Sequence, residues 1–273
     1  MKRTALVIFT VIATSIFCMS DAQAKRNRHE GTGIVAHRGF WNCEEAGYAK
    51  NSLAALKCAQ EAGFWGSEFD VNMTADSILL VFHDNKIDGK RIEKHPHEEF
   101  GYYRLANGEP IPTIDQYLEQ GKKHPETMLV YELKAHSCNE VEDLFVDITI
   151  EKLKEHGLLD PSKVMFISFS HHICKRLADR LPDFAVQYLT GDRSPQKLRS
   201  EGINGIDYHY NILSINRKWI DKARRLGMST NAWTVNKEDI MKEMLELKVD
   251  MLTTDYPLVA RELMNRTGNK ELR

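Results

Sequence analysis

Ser67-Glu68-Phe69-Asp70-Val71-Asn72-Met73-Thr74-Ala75-Asp76-Ser77-Ile78-Leu79-Leu80-Val81-Phe82-His83-Asp84 sets the terms for the whole chain. Ser67 to Met73 reads as a strand, and it carries Glu68 and Asp70 two positions apart, hence on one face. Ile78 to Phe82 is a second apolar run. Only Ala75-Asp76-Ser77 separates it from the first, so the two must pair antiparallel, because a parallel crossover needs many more residues. A strand that places two acids on one face and is followed by an antiparallel flap is unusual. The neighbouring segments give it a context.

Upstream, Gly33 to His37 reads as a strand and Asn51 to Ala62 as a helix, with Leu53, Leu56, Cys58 and Ala59 at helical spacing and Gly63 as its stop. Downstream, Asn85 to Pro110 is charged and irregular, too long for an ordinary connection, and reads as a loop or small excursion over a barrel mouth. Thr113 caps a helix to about Lys123, and Thr127 to Leu133 is the next strand. A long helix over Glu140 to His156 shows Val141, Leu144, Phe145, Ile148 and Leu153 as its apolar stripe. The same alternation continues: strand Val164 to Phe169 with helix His171 to Leu181, then strand Ala185 to Leu189 with a helix opened by Ser194-Pro195. Strand Gly205 to Tyr210 precedes a helix over Asn216 to Leu226, and strand Ser229 to Val235 one over Lys237 to Leu247. Strand Met251 to Thr254 and a helix from Leu258 close the series. With the flap counted alongside strand two, eight strands alternate with helices. The fold class is α/β, and a closed (β/α)8 TIM barrel is the expected architecture. An open doubly wound sheet is the alternative with the same cadence.

The first residues have another purpose. Lys2 and Arg3, the apolar run Ala5 to Phe17, and Ala22-Gln23-Ala24 form a signal-peptide pattern over residues 1–24, leaving 25–273 as one domain. The expectation is an exported protein, periplasmic or secreted, with no stable membrane insertion after cleavage. Lys and Arg number 37 against 39 Asp and Glu, a net charge of -2, which argues against a nucleic-acid surface or a polybasic anchor. Four cysteines lie beyond the leader, Cys43, Cys58, Cys138 and Cys174; none has zinc-site spacing, and free thiols and a disulfide are both open.

In a barrel of this kind, chemistry sits at the C-terminal ends of the strands. Strand one ends in His37-Arg38-Gly39, the flap in His83-Asp84, strand three in Glu132-Leu133-Lys134, and strand eight in Thr254-Asp255-Tyr256-Pro257. Glu68, Asp70 and Glu132 converging in one space would repel strongly, and a hard divalent cation removes that cost by taking their oxygens as ligands. The absence of cysteine and histidine among them favours magnesium or calcium over zinc. Pairing of Glu132 with Lys134 is the bland alternative. His37 and His83 have the chemistry of a general acid/base pair, His83 having a structural hydrogen-bonding role as its alternative. Arg38 and Lys134 supply positive charge for a phosphate, and Trp233 a flat wall for the rest of a substrate.

The ordered set His37-Arg38-Gly39, Asn51-Ser52, Glu68-Phe69-Asp70, Leu80 to Asp84, Glu132-Leu133-Lys134, Asn231 to Asn236 and Thr254 to Pro257 resembles the glycerophosphodiester phosphodiesterase family. The resemblance implies a barrel of the phospholipase C-like phosphodiesterase type that hydrolyses small-molecule glycerophosphodiesters to an alcohol and glycerol 3-phosphate. By matching position it makes His37 and His83 the acid/base pair, gives one cation to Glu68, Asp70 and Glu132, and sets Arg38 and Lys134 against phosphate. In the mechanism it implies, the glycerol 2-hydroxyl attacks phosphorus and water opens the resulting cyclic phosphate. One departure stands out: Lys50 occupies the position before Asn51-Ser52 where the family usually has Glu, with Glu44 and Glu45 as nearby acids that could compensate. Two other functions fit the same residues, a phospholipase acting on lipid head groups and an exported diester-binding barrel without catalysis.

Overall fold

Four helices begin where a hydroxyl side chain takes up a free backbone N–H, at Ser52, Thr113, Ser170 and Ser194. Ser52 accepts from the Ala55 N–H at 2.9 Å to start α1 (Leu53–Glu61), which connects β1 (Gly33–Ala36) to β2 (Gly66–Met73). A computed structural model describes residues 31–271, so the leader expected over residues 1–24 lies outside the described residues. After β2 the chain turns back through β3 (Leu79–Val81) and a small hairpin, β4 (Lys86–Ile87) with β5 (Lys90–Arg91). Then follow α2 (Ile114–Gly121), β6 (Met128–Leu133), α3 (Asn139–Glu155), β7 (Val164–Ser168), α4 (His171–Arg180) and β8 (Val186–Tyr188). The last part comprises α5 (Pro195–Ser200), β9 (Gly205–His209), α6 (Tyr210–Ile215), α7 (Lys218–Arg225), β10 (Ser229–Trp233), α8 (Glu238–Glu246), β11 (Met251–Thr254) and α9 (Pro257–Glu271).

The parallel strands pair in the order β1, β11, β10, β9, β8, β7, β6, β2, and β2 returns to β1, so the sheet closes on itself. It is a (β/α)8 barrel, and the open-sheet alternative is excluded. β3 pairs antiparallel to the upper part of β2, with Val71 opposite Val81 and Met73 opposite Leu79, as the short turn required. β1 and β2 share little of their length: Val35 lies opposite Gly66 and Ala36 opposite Ser67, after which β2 passes to β6 and β3.

Strand alternation divides the side chains into two layers. Phe69, Val71, Tyr131, Leu133 and Phe166 point outward into the core shared with the helices. Val35, Val130, Met165, Ile167, Leu189 and Met251 point inward and fill the barrel. Glu68, Asp70 and Glu132 alternate with the outward set, so the same pleat that builds the outer core turns the acids into the barrel mouth.

One expectation needs correction and two gain detail. The buried stripe of α3 runs through Phe145, Val146, Thr149, Ile150 and Leu153, while Leu144 is 47% exposed. Leu144 sits on the flank of that stripe; counting apolar residues had shifted the face toward it. The helix expected over Asn216 to Leu226 is α7, and a further short helix, α6, begins directly on β9 and ends at Asn216, whose N–H donates to the Ile212 carbonyl at 2.9 Å. The stretch from Asn85 to Pro110 is ordered, with two 3-10 turns and a small core of Leu80, Ile87, Ile92, Phe100 and Ile111. It is fastened to the barrel where the Leu53 N–H donates to Glu109 Oε2 at 3.1 Å. The four cysteines are free thiols, Cys138 exposed and Cys174 buried. Among the described residues no helix is long and apolar enough to cross a membrane.

The revised helix face gives a direct test. Phe145→Ala is expected to lower the unfolding free energy by about 3–5 kcal/mol, and Leu144→Glu to change it by less than about 0.5 kcal/mol. Denaturant titration of the two variants measures both; equal losses would restore the original stripe.

Candidate active site

The register of two neighbouring strands creates the site. Asp70 on β2 is the direct partner of Glu132 on β6, and Glu68 lies two positions before Asp70 on the same inward face. All three are buried, and a carboxylate oxygen from each lies within 4.8 Å of the others. Three like charges so close, away from water, demand compensation.

The compensation is local. Lys134 Nζ lies 2.9 Å from Asp70 Oδ1 and 2.7 Å from Glu132 Oε1, so the expected pairing of Glu132 with Lys134 and the acidic cluster exist together. Arg38 Nε is 3.3 Å from Asp70 Oδ2, and the Arg38 backbone N–H donates to Glu68 Oε2 at 2.8 Å. Asn51 Nδ2 donates to Asp70 Oδ2 at 2.8 Å, while Asn51 Oδ1 accepts from the Asp70 N–H at 3.2 Å. Arg38 and Asn51 both adopt left-handed backbone conformations, with φ of 56° and 57°. Gly39 closes the same turn: its φ is 78°, and a Cβ there would lie 2.7 Å from the Ala55 carbonyl carbon, so a side chain has no room.

The charges settle unevenly. Burial, reinforced by Asp70 and Glu132, holds Glu68 well above the ordinary carboxylate range. Burial also raises Glu132, to about 7, Lys134 pulling it down against the push of Asp70. Burial would raise Asp70 too, but Lys134 and Arg38 outweigh it and hold that carboxyl well below the usual range. Burial disfavours the Lys134 ammonium, yet Glu132 and Asp70 more than restore its charge. Negative charge is thus favoured on Asp70 and disfavoured on Glu68 and Glu132.

One atom of the cluster is left over. Glu68 Oε1 is buried with no hydrogen-bond partner. An unsatisfied carboxylate oxygen beside two other carboxylates is an all-oxygen donor set that suits a hard divalent cation.

The two histidines flank this cluster. His37 Nε2 lies 3.9 Å from Glu68 Oε2, and its Nδ1 lies 2.8 Å from Asp255 Oδ1. Asp255 also accepts from Trp41 Nε1 at 3.0 Å and from Asn236 Nδ2 at 2.7 Å. Burial alone would raise Asp255, but its bonds to His37 and Asn236 bring it down to about 2, so it is a carboxylate under ordinary conditions. His83 Nδ1 lies 2.6 Å from Asp84 Oδ1 and its side chain is 41% exposed. Burial, aided by Lys134 and Arg38, holds His83 below the ordinary imidazole value. His83, Glu132, Lys134 and Phe169 line an open cleft of about 540 Å³.

Trp233 is half-buried, its Nε1 donating to the Asp207 carbonyl at 2.8 Å. Phe169 and His209 meet it edge to face, at 5.4 and 5.3 Å between ring centres. It thus backs the Phe169 wall of the cleft. Lys50 does not join the acidic cluster: its ammonium sits 4.3 Å above the Trp41 ring, and Glu44 and Glu45 are exposed.

Sequence reasoning gave no role to Asn51, Asp255 or Trp41, although Asn51 and Asp255 stood inside motifs it singled out. Asp207, buried on β9, was missed altogether. Burial and the nearby Glu132 raise its carboxyl well above the ordinary range. An acid in the middle of an apolar strand was the available signal.

Comparison with known proteins completes the picture. The sequence profile of the glycerophosphoryl diester phosphodiesterase family matches residues 37–259, a span that includes the acidic trio and both histidines. A glycerophosphodiester phosphodiesterase of Caldanaerobacter subterraneus subsp. tengcongensis is 26% identical over 261 residues, covering 87% of this chain and 99% of that protein. Another, from Bacillus altitudinis, is 27% identical over 241 residues, covering 83% of this chain and 95% of that protein. The crystal structure of a glycerophosphodiester phosphodiesterase from Parabacteroides distasonis superposes with a TM-score of 0.83 at 39% identity, covering 87% of this chain and 98% of that one. With the profile spanning most of its length and its barrel shared with that structure, the chain belongs to the glycerophosphoryl diester phosphodiesterase family.

Proposed function

We propose that this protein hydrolyses glycerophosphodiesters to an alcohol and glycerol 3-phosphate, with one divalent cation, magnesium or calcium, held by Glu68, Asp70 and Glu132. The observation that carries this reading is the buried, unpartnered Glu68 oxygen within a three-carboxylate cluster flanked by two imidazoles. When bound, the cation would draw electron density from a phosphoryl oxygen and offset the charge that develops there.

The side chains supply the rest. Arg38 and Lys134 border the cluster, and with the acids neutralised their donors can face the phosphate as well as Asp70. His37 has its Nδ1 side committed to Asp255, which fixes the ring and leaves Nε2 toward the acids. The Asp255 carboxylate fixes the ring, so His37 can pass a proton through Nε2. His83, held through Nδ1 by Asp84, presents Nε2 to the cleft. In the first step the glycerol 2-hydroxyl forms a bond to phosphorus as one imidazole takes its proton. The other imidazole gives a proton to the departing alcohol as its P–O bond breaks. Water then opens the cyclic phosphate with the proton transfers reversed.

Lys50 stands over Trp41 and away from the carboxylates, so nothing in the geometry favours a barrel that has lost catalysis. The leader pattern of residues 1–24 supports a working place outside the cytoplasm, periplasmic or secreted.

Chelation is expected to abolish release of glycerol 3-phosphate from glycerophosphoethanolamine, and added magnesium or calcium to restore it. Full turnover in chelator would remove the cation from the proposal. His37→Ala is expected to lower kcat on the order of a hundred- to ten-thousandfold, and unchanged turnover would displace His37 from the reaction. The Asp255 pair has its own signature. Because the folded carboxyl is depressed from 3.8 to about 2, its stabilisation is present above pH 3.8 and lost as pH falls through about 2. Acid unfolding followed across that window should be steeper for the native sequence than for Asp255→Asn; parallel curves would show that His37 and Asp255 are not coupled.

A further inference from the structure

The chemistry of the proposed reaction leaves the alcohol half of the diester unspecified, and the cleft that would receive it has a charge bias. Among its lining groups His83 is paired with Asp84, and Glu132 with Lys134. Asn85, Ala135 and Phe169 carry no charge. Lys86 remains: it is exposed at the start of β4, lines the same cleft, and forms no ion pair among the described residues. Lys134 is held by Asp70 and Glu132 beside the phosphate position, so Lys86 is the ammonium of the cleft lining left to meet a group on the alcohol.

The β1 flank of the mouth is biased in the same sense. Trp41 offers an indole next to the His37–Asp255 pair, the kind of surface on which a quaternary ammonium group would settle. That face is already taken by the Lys50 ammonium, which also has no ion-pair partner among the described residues. A cationic alcohol thus meets an occupied ring on one flank and an unpaired lysine on the other.

We infer that, within the proposed hydrolase activity, this protein selects glycerophosphodiesters whose alcohol carries an additional anionic group, such as a carboxylate, and that Lys86 is the residue that reads it. This rests on the hydrolase reading and narrows its substrate class. The contact lies at a solvent-facing rim, so its effect is modest and falls with salt.

The test compares glycerophosphoserine with glycerophosphoethanolamine, alcohols that differ by one carboxylate, using the full-length protein with its cation at low ionic strength. The expected kcat/KM favours the serine diester by about three- to fivefold. Lys86→Gln should bring that ratio to about one, Lys86→Glu should invert it, Lys86→Arg should preserve it, and added salt should erode it. A ratio at or below one in the native sequence overturns the inference, as does a ratio that neither Lys86→Gln nor Lys86→Glu moves. Cleavage of both diesters without preference leaves the hydrolase reading standing and removes only the selectivity. Cleavage of neither removes the hydrolase reading and the selectivity with it.

Discussion

Three buried carboxylates within 4.8 Å of one another are the constraint around which the barrel mouth is arranged. At an effective dielectric constant of about 20, two unit charges at that distance repel by about 3–4 kcal/mol. Three such pairs would rival the whole stability of a domain, about 5–15 kcal/mol. The cluster can exist only because protons, cationic side chains or a metal ion stand among the charges. Lys134 and Arg38 bear on Asp70, and burial disfavours negative charge on Glu68 and Glu132. The cluster thus balances its charge largely among its own residues and keeps an unpartnered Glu68 oxygen.

The supporting residues come from a turn that a free polypeptide would not favour. Arg38 and Asn51 hold left-handed conformations costing about 1–3 kcal/mol each. In return Arg38 directs its backbone N–H at Glu68, and Asn51 grips Asp70 through both ends of its amide. The Asn51 N–H donates to the Arg38 carbonyl at 3.0 Å, tying the two strained residues together. The strain lies where the acids need fixed dipoles, and α1 starts immediately afterwards from Ser52.

Much of this was legible in the residues. The period of two along Ser67 to Met73 placed Glu68 and Asp70 on one face, and the short turn after it dictated an antiparallel flap. Barrel closure is a different matter, since it depends on β1 meeting both β2 and β11, and strand spacing is equally compatible with an open sheet. Asp255 illustrates what a linear reading misses: its partner His37 is 218 positions away, and only closure brings them together. Leu144 shows the complementary error, because an apolar residue on the margin of a helix face counts as core until the neighbouring helices define where the face lies. Lys50 could be recognised as a departure from its family, but its position over Trp41 rather than among the acids is a matter of how the loop folds.

The short shared length of β1 and β2 has a mechanical consequence. Above Ala36 and Ser67 the barrel wall is a seam, closed by the Arg38–Gly39 turn and the Asn51 amide instead of by a strand ladder. Opening of the barrel by local fluctuation therefore has a natural starting point there, and amide hydrogens of this turn should exchange through smaller openings than those of the β2–β6 ladder. The acids on β2 are gripped from across the seam by the Arg38 N–H and the Asn51 amide. Positioning the acids and latching the barrel are therefore one event.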